Sequence, residues 1–334
     1  MSPRLPILAF LWLLASSGVL PEATAQVESA PARDQAKTAA AQMPPQAGDR
    51  APETRAQAIL PRAISAMEGR QSVFAKSSHH INLYGKPQLL GTAQYIEQQS
   101  EKGRLLRMDL KIMLGNQQIS TLVEAFDGDR LSRYEDLGGK TLTQVDVNKA
   151  DRILEARGKL PKNGSLRSLP GLWGLAKLLR GLDADFAFTL VEETALTMAD
   201  QSGRGRLPVW KLQGAWRPEK LAKILPDQAE DIRRGQAANL DKLPEHLPDR
   251  VILCLGKDDL FPYQIDYRRN APKRFWSRDR SESRSILTMK FTEVDFNRPF
   301  EESKFEYPGR QTLEGVKPID GTEAFAKKLE LDRE

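Results

Sequence analysis

The side chains that most often bind metals or act as nucleophiles are scarce in this chain. Its 334 residues include three histidines and a single cysteine, Cys254. A zinc site of the usual Cys/His kind, a disulfide framework and an iron–sulfur cluster are therefore excluded within one chain. Cys254 lies in the apolar run 251–255, which predicts a buried strand and an unreactive thiol. The composition implies no metal and no cofactor.

Two of the histidines, His79 and His80, are adjacent. Neighbouring side chains on a strand point to opposite faces, so this pair is not expected to hold one metal ion, and a structural or solvated role is predicted for each. Residues 127–129 (Asp-Gly-Asp) resemble the start of a calcium loop. However, Leu131 and Ser132 stand where the third ligand and the glycine belong, so a hairpin turn is predicted instead.

The sequence carries no nucleophile elbow, phosphate-binding loop, zinc-protease motif or dinucleotide fingerprint. Asp258 and Asp259 lie in a predicted turn between two strands, and they would support hydrolysis only if other groups converge on them. No catalytic residue is therefore predicted, and the chain is predicted not to be an enzyme. A hydrolase built on these two acids remains an alternative.

The segment 267–280 concentrates six basic residues and three aromatic residues. The default interpretation is a solvated hairpin tip. The functional alternative is contact with an anionic membrane or with a partner surface. The whole chain has 50 basic against 45 acidic residues, a formal charge of +5. This excess is too small for a dedicated nucleic-acid binder, so no nucleic-acid partner is predicted. The candidate surface residues are Arg268, Arg269, Lys273, Arg274 and Trp276.

The first 25 residues have the layout of a secretory signal peptide. Arg4 precedes an apolar run over residues 5–14, and Ala23-Thr24-Ala25 offers a cleavage site. The run is too short to span a bilayer as a helix, and serine stands where a lipoprotein signal would have cysteine. We therefore expect cleavage near Ala25 and a soluble protein of the periplasm or cell envelope. A retained membrane anchor is the alternative.

The elements that must position any site follow from hydrophobic periodicity. In residues 105–113, four apolar and three charged side chains alternate, which predicts a half-buried antiparallel strand. Similar runs separated by short turns predict a meander of about ten antiparallel strands. The predicted strands are 72–83, 89–98, 105–113, 117–126, 130–136, 185–194, 207–214, 250–256, 260–268 and 284–294.

Helical spacing of apolar residues interrupts this meander, and Pro61 is expected to kink or restart the first helix. The predicted helices are 51–67, 148–157, 166–182, 217–225, 228–243 and 322–329. The expected organisation is a signal peptide (1–25), a flexible linker (26–50), a half-barrel domain (51–310) with a helical insertion (217–248), and a tail (311–334).

Such a long sheet must hide its apolar face, and curling around amphipathic helices is the favoured solution. The fold class is therefore mainly β (α+β): a curled, unclosed antiparallel barrel wrapped over helices. Helix 166–182 would then either form plain core or cover an apolar concavity whose leucine and methionine walls suit an acyl chain. The candidate cavity residues are Tyr95, Met108, Leu110, Ile112, Trp173 and Leu179.

Three stretches of the chain resemble the family of periplasmic lipoprotein carriers of the LolA/LolB type. The first is helix 51–67 followed directly by a meander. The second is Val123-Glu124-Ala125-Phe126-Asp127-Gly128-Asp129-Arg130-Leu131-Ser132-Arg133-Tyr134, a strand–Asp-Gly–strand hairpin that ends in an aromatic residue. The third is Phe291-Thr292-Glu293-Val294-Asp295-Phe296-Asn297-Arg298-Pro299-Phe300, followed by Phe305-Glu306-Tyr307-Pro308-Gly309.

The resemblance covers about residues 55–310, and the insertion 217–248 lies outside it. It implies an unclosed barrel over helices with an apolar cavity that shields lipid moieties, and hence a lipid or an acylated protein as partner. Similar folds also serve as lipid-sensing regulatory domains. A third possibility, from another class, is a structural or interaction module of the envelope with a filled core.

Overall fold

The computed structural model describes residues 50–82, 88–136, 139–160, 164–168, 174–198, 205–270, 283–307 and 315–331. The predicted signal peptide and nearly all of the predicted linker lie outside these ranges. The described strands form one twelve-stranded sheet. The strands are β1 Ser72–Ile81, β2 Leu89–Ser100, β3 Gly103–Leu114, β4 Gln117–Phe126, β5 Arg130–Asp136, β6 Lys140–Asp146, β7 Phe186–Thr197, β8 Arg206–Trp216, β9 Arg250–Gly256, β10 Pro262–Asn270, β11 Ser283–Phe296 and β12 Pro318–Asp320.

The sheet order is β12-β6-β5-β4-β3-β2-β1-β11-β10-β9-β8-β7. It consists of two antiparallel meanders, β1–β6 and β7–β11, joined where β1 pairs with β11. The order begins at β12 and ends at β7, and these two strands do not pair, so the curled sheet does not close into a barrel. This confirms the predicted fold class. The count of about ten strands was too low, because β6 and the short β12 were not predicted. β12 is also the exception to antiparallel pairing, since it runs parallel to β6.

The helices differ more from the predictions than the strands do. They are α1 Arg50–Gly69, α2 Val147–Ala156, α3 Gly174–Asp185, α4 Pro218–Ile224, α5 Ala229–Arg233 and α6 Thr322–Leu331. Short 3₁₀ turns lie at Leu166–Ser168, Pro226–Gln228, Leu240–Lys242 and Glu302–Phe305. Two predicted helices, 166–182 and 228–243, were therefore wrong as continuous elements.

Each of these breaks has a local cause. Gly174 opens α3 with φ +69°, a conformation that cannot lie inside a right-handed helix. Gly235, with φ +80°, follows α5 in the same way. By contrast, α1 passes through Pro61 without a break. Pro61 is exposed, while Leu60, Ala63 and other residues on the opposite side of α1 are buried, so packing holds the helix on both sides of the proline.

The main core lies between the concave face of the sheet and two helices, α1 and α3. α1 packs against β7 and α3, and buried residues of both helices meet the inward side chains of β1–β4 and β9–β11. A second core joins α2 and α6 to Leu106 and Phe126 of the sheet. The insertion 217–248 has its own small core around Leu221, Ile232 and Leu243.

Among the described residues, no helix combines the length and apolar character needed to cross a membrane.

Candidate functional site

A small, mostly apolar cavity lies between the concave face of the sheet and α3. Its volume is about 80 Å³. Strands β1, β2, β3, β4 and β11 form the floor, and the first turns of α3 form the roof. The apolar lining residues are Ala93, Leu106, Met108, Leu110, Leu122, Leu175, Leu178, Met289 and Phe291, and the others are Ser77, His79, Tyr95, Glu124, Gly174 and Lys177.

Strand alternation explains why these side chains converge. Tyr95 on β2 pairs with Met108 on β3, and Met108 pairs in turn with Glu124 on β4. Residues paired across strands share one face of the sheet, so every second residue of each strand points to the concave face, and those beneath α3 line the cavity. The result is a floor of leucine and methionine side chains. Methionine is unbranched and adapts its shape readily, so such a floor can accommodate ligands of variable shape.

A buried polar cluster of Tyr95, Glu97 and Arg104 fixes both helices at one end of the cavity. Glu97 is 1% exposed and forms an ion pair with Arg104, Oε1 to Nη1 3.1 Å. The Tyr95 hydroxyl donates to the same carboxylate. The backbone N–H of Leu175, in the first turn of α3, donates to the Tyr95 hydroxyl oxygen at 3.1 Å. The cluster therefore holds the amino end of α3 on the sheet.

Arg104 also binds the carboxyl end of α1. Its Nη1 donates to the carbonyl of Arg70 at 3.0 Å, and its Nη2 donates to the carbonyl of Glu68. The last carbonyls of a helix have no partner within the helix and carry partial negative charge, so a guanidinium is well suited to this position. A single arginine therefore ties α1 to the carboxylate that contacts α3.

Burial sets the protonation behaviour of the cluster. Desolvation raises the pKa of Glu97, while the positive charge of Arg104 and the hydrogen bonds from Tyr95 and Leu175 oppose that rise. Desolvation and the neighbouring carboxylate raise the pKa of Tyr95 well above its ordinary value. Tyr95 therefore keeps its proton and remains a donor to Glu97.

The two adjacent histidines point to opposite faces, as predicted. His79 is 3% exposed and lines the cavity, whereas His80 is exposed. The Nε2 of His79 lies 2.9 Å from the hydroxyl oxygen of Ser77, which also lines the cavity. Desolvation, with a smaller contribution from His80, lowers the pKa of His79 to about 4. The imidazole is therefore neutral at pH 7.

This low pKa predicts a pH dependence of stability. Between pH 6.5 and about 4, the unfolded chain binds a proton at His79 that the folded protein does not bind. The free energy of unfolding should therefore fall as the pH is lowered through this window, by at most roughly 3 kcal/mol from this residue. Urea denaturation at pH 7 and pH 4.5 measures the effect. His79→Phe should lose this contribution and His80→Phe should keep it. Equal pH dependence in both variants would contradict the assignment.

The predicted cavity residues occupy different positions. Tyr95, Met108 and Leu110 line the cavity. Ile112 and Leu179 are fully buried in the main core and do not belong to the lining. Trp173 lies outside the described residues. Glu97 and Arg104 were not recognised from sequence, although Glu97 shares the inward side of β2 with Ala93 and Tyr95, and a charged residue on an apolar face is a detectable signal.

The basic segment is described only at its start. Arg269 donates to the carbonyls of Leu243, Pro244 and Leu247, and so holds the loop that precedes β9. Arg268 donates to the carbonyl of Ser283 at 2.6 Å. Lys273, Arg274 and Trp276 lie outside the described residues. Surface contact through this segment therefore remains a prediction.

The remaining candidate groups have structural partners. Cys254 is buried, and desolvation raises the pKa of its thiol to about 12, which keeps it protonated. The Asp259 carboxylate accepts hydrogen bonds from the Phe261 N–H (3.0 Å) and the Tyr263 hydroxyl (2.6 Å), so it fixes the turn before β10. Among the described residues, no three histidine, cysteine or acidic side chains are arranged to hold a metal ion.

The architecture defines a class of protein: a curled, unclosed antiparallel sheet whose concave face holds two helices and a small apolar cavity. Solved structures similar to this chain include a LolA superfamily protein from Nitrosomonas europaea, with 10% identity and a TM-score of 0.24 over 75% of this chain and 97% of that chain. A putative outer membrane lipoprotein-sorting protein domain from Vibrio parahaemolyticus gives 8% identity and a TM-score of 0.30 over 76% and 97%.

A DUF1329 family protein from Desulfovibrio piger gives 10% identity and a TM-score of 0.32 over 78% of this chain and 99% of that chain. The structures similar to this chain thus include the LolA superfamily that the sequence resembles. No protein-family model matches the chain, and no curated protein matches its sequence.

Proposed function

We propose that this protein is an exported, non-enzymatic carrier that binds the acyl chain of a lipid or of an acylated protein between its concave sheet and α3. The observation that supports this most strongly is the apolar cavity under α3, with its leucine and methionine lining. Sites for acyl chains need apolar walls and few polar groups, and this cavity has both. Binding of this kind requires no catalytic side chain.

The size of the cavity implies that α3 moves when a ligand enters. Pockets for small molecules usually measure roughly 300–1,000 Å³, and this cavity measures about 80 Å³. Burying a twelve-carbon chain would contribute roughly 9 kcal/mol before ordering costs, at about 0.8 kcal/mol per methylene. That gain can offset the exposure of two or three buried leucines of α3, at about 1.5–3 kcal/mol each, so ligand entry requires only part of the helix to move.

The contacts of α3 fit such a displacement. Its amino end is held by the N–H of Leu175, and Arg180 forms an ion pair with Glu68 of α1 at 2.6 Å. Both partners of this pair are substantially exposed, so it contributes about 0–1 kcal/mol. At its other end α3 continues directly into β7. The carboxyl end of α3 is therefore fixed by the chain, so ligand entry should break the hydrogen bond from the Leu175 N–H to the Tyr95 hydroxyl and move the amino end of α3 away from the sheet.

Filling the cavity tests the proposal. In Ala93→Leu, three added carbons occupy space under α3, so uptake of N-phenylnaphthylamine or a short fatty-acid probe should fall about four- to fifteenfold, the loss expected for displacing one or two buried methylenes at about 0.8 kcal/mol each. Thr92→Leu is the matched control, because Thr92 precedes Ala93 on β2 but is exposed on the opposite face. Fluorescence titration measures both variants. Equal uptake by the two folded variants would contradict the cavity assignment.

The native ligand can be identified directly. Native mass spectrometry of the mature protein from the envelope fraction of its own host should give a mass excess that organic extraction removes. A bare polypeptide that also takes up no added lipid would favour the second candidate, an interaction module of the envelope. The volume of about 80 Å³ is the observation that favours this second candidate, because a filled core leaves little room.

A further inference from the structure

The floor of the cavity carries two hydrogen-bonded polar residues, Ser77 and His79, and one nitrogen of the His79 ring is left unsatisfied by the described residues. Ser77 and His79 lie two residues apart on β1 and face the same side. β1 lies between β2 and β11, so Ser77 is flanked by Ala93 and Phe291, and His79 by Gly91 and Met289. The cross-strand neighbours of the polar pair are therefore all apolar residues or glycine.

The position of the His79 ring is fixed by its surroundings. Its Nε2 is hydrogen-bonded to Ser77 at 2.9 Å. Gly91 leaves space beside the ring, since a Cβ there would lie 3.0 Å from the His79 Cβ and 3.3 Å from Leu110 Cδ1. The second ring nitrogen, Nδ1, is buried and has no hydrogen-bond partner among the residues that the structure describes. A buried polar atom without a partner is unfavourable, and a ligand in the cavity could supply one.

The hydrogen bond with Ser77 decides which kind of group Nδ1 can bind. Among the described residues, the Ser77 hydroxyl has His79 Nε2 as its side-chain partner. If the hydroxyl donates its single hydrogen to Nε2, the neutral ring carries its own hydrogen on Nδ1. Nδ1 is then a donor within an apolar wall, and its complement is an uncharged acceptor.

A serine paired with a histidine could also suggest hydrolysis, but the strand argues against it. β1 is paired with β2 and β11 on its two sides, so the backbone N–H groups around Ser77 belong to the sheet ladders. Acyl transfer needs free donors for the developing oxyanion, and the interior of a paired strand does not provide them. The pair is suited to binding a carbonyl group without cleaving it.

We propose that His79 Nδ1 donates a hydrogen bond to the carbonyl oxygen of an acyl ester or amide whose hydrocarbon chain occupies the cavity. This inference rests on the proposed function and adds the residue that recognises the carbonyl group of the ligand, as opposed to its hydrocarbon chain. The Ser77 hydroxyl acts as a positioning group, because it keeps the ring hydrogen on Nδ1.

The test compares two ligands of similar length, methyl octanoate and decane, in competition with N-phenylnaphthylamine. In His79→Phe, which has a ring of similar size and no donor, the Kd for the ester should rise about three- to tenfold, the range expected for one hydrogen bond. The Kd for decane should stay within a factor of two. Each Kd is compared with that of the unmodified protein, so the different solubilities of the ligands cancel.

His80→Phe is the matched control, because His80 is the next residue but is exposed on the other face. It should leave both Kd values unchanged. An unchanged ratio of ester to decane affinity in folded His79→Phe would overturn the inference while leaving acyl-chain binding intact. If the unmodified protein binds neither ligand, the proposed function fails as well.

Nitrogen NMR of the unmodified protein makes the test independent of the variant's folding. The chain has only three histidines, so the His79 imidazole can be assigned directly. Methyl octanoate should shift the His79 Nδ1–H resonance downfield, and decane should not. A hydrogen located on Nε2, or a Nδ1 resonance that the ester does not move, would overturn the inference.

Discussion

Replacing Arg104 with methionine should lower the free energy of unfolding by about 3–5 kcal/mol at pH 7. The substitution leaves the Glu97 carboxylate, which is 1% exposed, without its ionic partner. It also removes the donors that bind the last carbonyls of α1. A buried charge that loses its partner is much more costly than the pair is favourable, so the loss should be among the largest of any single substitution in this protein.

The pH dependence of this variant has a definite sign. The pKa of Glu97 is already raised by burial, and without Arg104 a lowering influence is lost, so the pKa rises further. A carboxyl group whose pKa is raised by folding destabilises the folded protein when it ionises. This destabilisation is complete above the pKa of Glu97 in the folded protein and is absent below the pKa of 4.5 that it has in the unfolded chain. The difference in the free energy of unfolding between Arg104→Met and the unmodified protein should therefore shrink as the pH is lowered.

Arg107→Met is the matched control on the same strand. Arg107 forms an ion pair with Asp109 at 3.0 Å, and both side chains are about a third exposed. Pairs of this kind contribute about 0–1 kcal/mol, so urea denaturation should show only a small loss. A loss as large as that of Arg104→Met would mean that the buried cluster has no special role.

Replacing Gly174 with alanine should detach the first turn of α3 from the sheet. Gly174 has φ +69°, and a Cβ there would lie 2.6 Å from the Glu97 Cδ. The left-handed backbone alone costs a non-glycine residue about 1–2 kcal/mol, and the overlap adds about 1–3 kcal/mol. The variant should be destabilised by about 2–5 kcal/mol, and it should take up N-phenylnaphthylamine faster than the unmodified protein.

Gly158→Ala separates the two contributions. Gly158 has nearly the same φ, +68°, but no atom of the described residues lies within 4 Å of a Cβ placed there. Its substitution should cost only the backbone term of about 1–2 kcal/mol and should leave probe uptake unchanged. Stopped-flow fluorescence and denaturation of both variants provide the comparison. If Gly174→Ala and Gly158→Ala lost the same free energy of unfolding and took up the probe at the same rate, Glu97 would not hold α3.

The strands could be predicted from sequence because alternation of apolar and polar residues is a local property. Residues 106–112 alternate strictly and lie within β3. β6 was missed because its two buried apolar residues, Leu142 and Val145, are three positions apart and therefore point to opposite faces of the sheet, which leaves no apolar–polar alternation to detect. Its place in the sheet depends on β5, which is paired with it along its whole length.

The site was less predictable, because it depends on contacts between distant segments. Residues 166–182 carry helical spacing of leucines throughout, but Gly174 adopts a backbone conformation that starts a new helix there. The cluster of Tyr95, Glu97 and Arg104 forms across a hairpin and is completed by the backbone of Leu175. No periodicity within a single segment identifies such an arrangement.

The order of the strands also determines when the cavity can exist. Each meander can form from local hairpins, whereas the β1–β11 ladder places Val73 beside Phe296. Closing a loop of this length costs roughly 5 kcal/mol of chain entropy, so this ladder should be a late event in folding. Met289 and Phe291 of β11, the cross-strand neighbours of His79 and Ser77, complete the lining of the cavity. The proposed acyl ligand can therefore bind only after the polypeptide has finished folding, and uptake of a fluorescent probe would follow the time course of this last step.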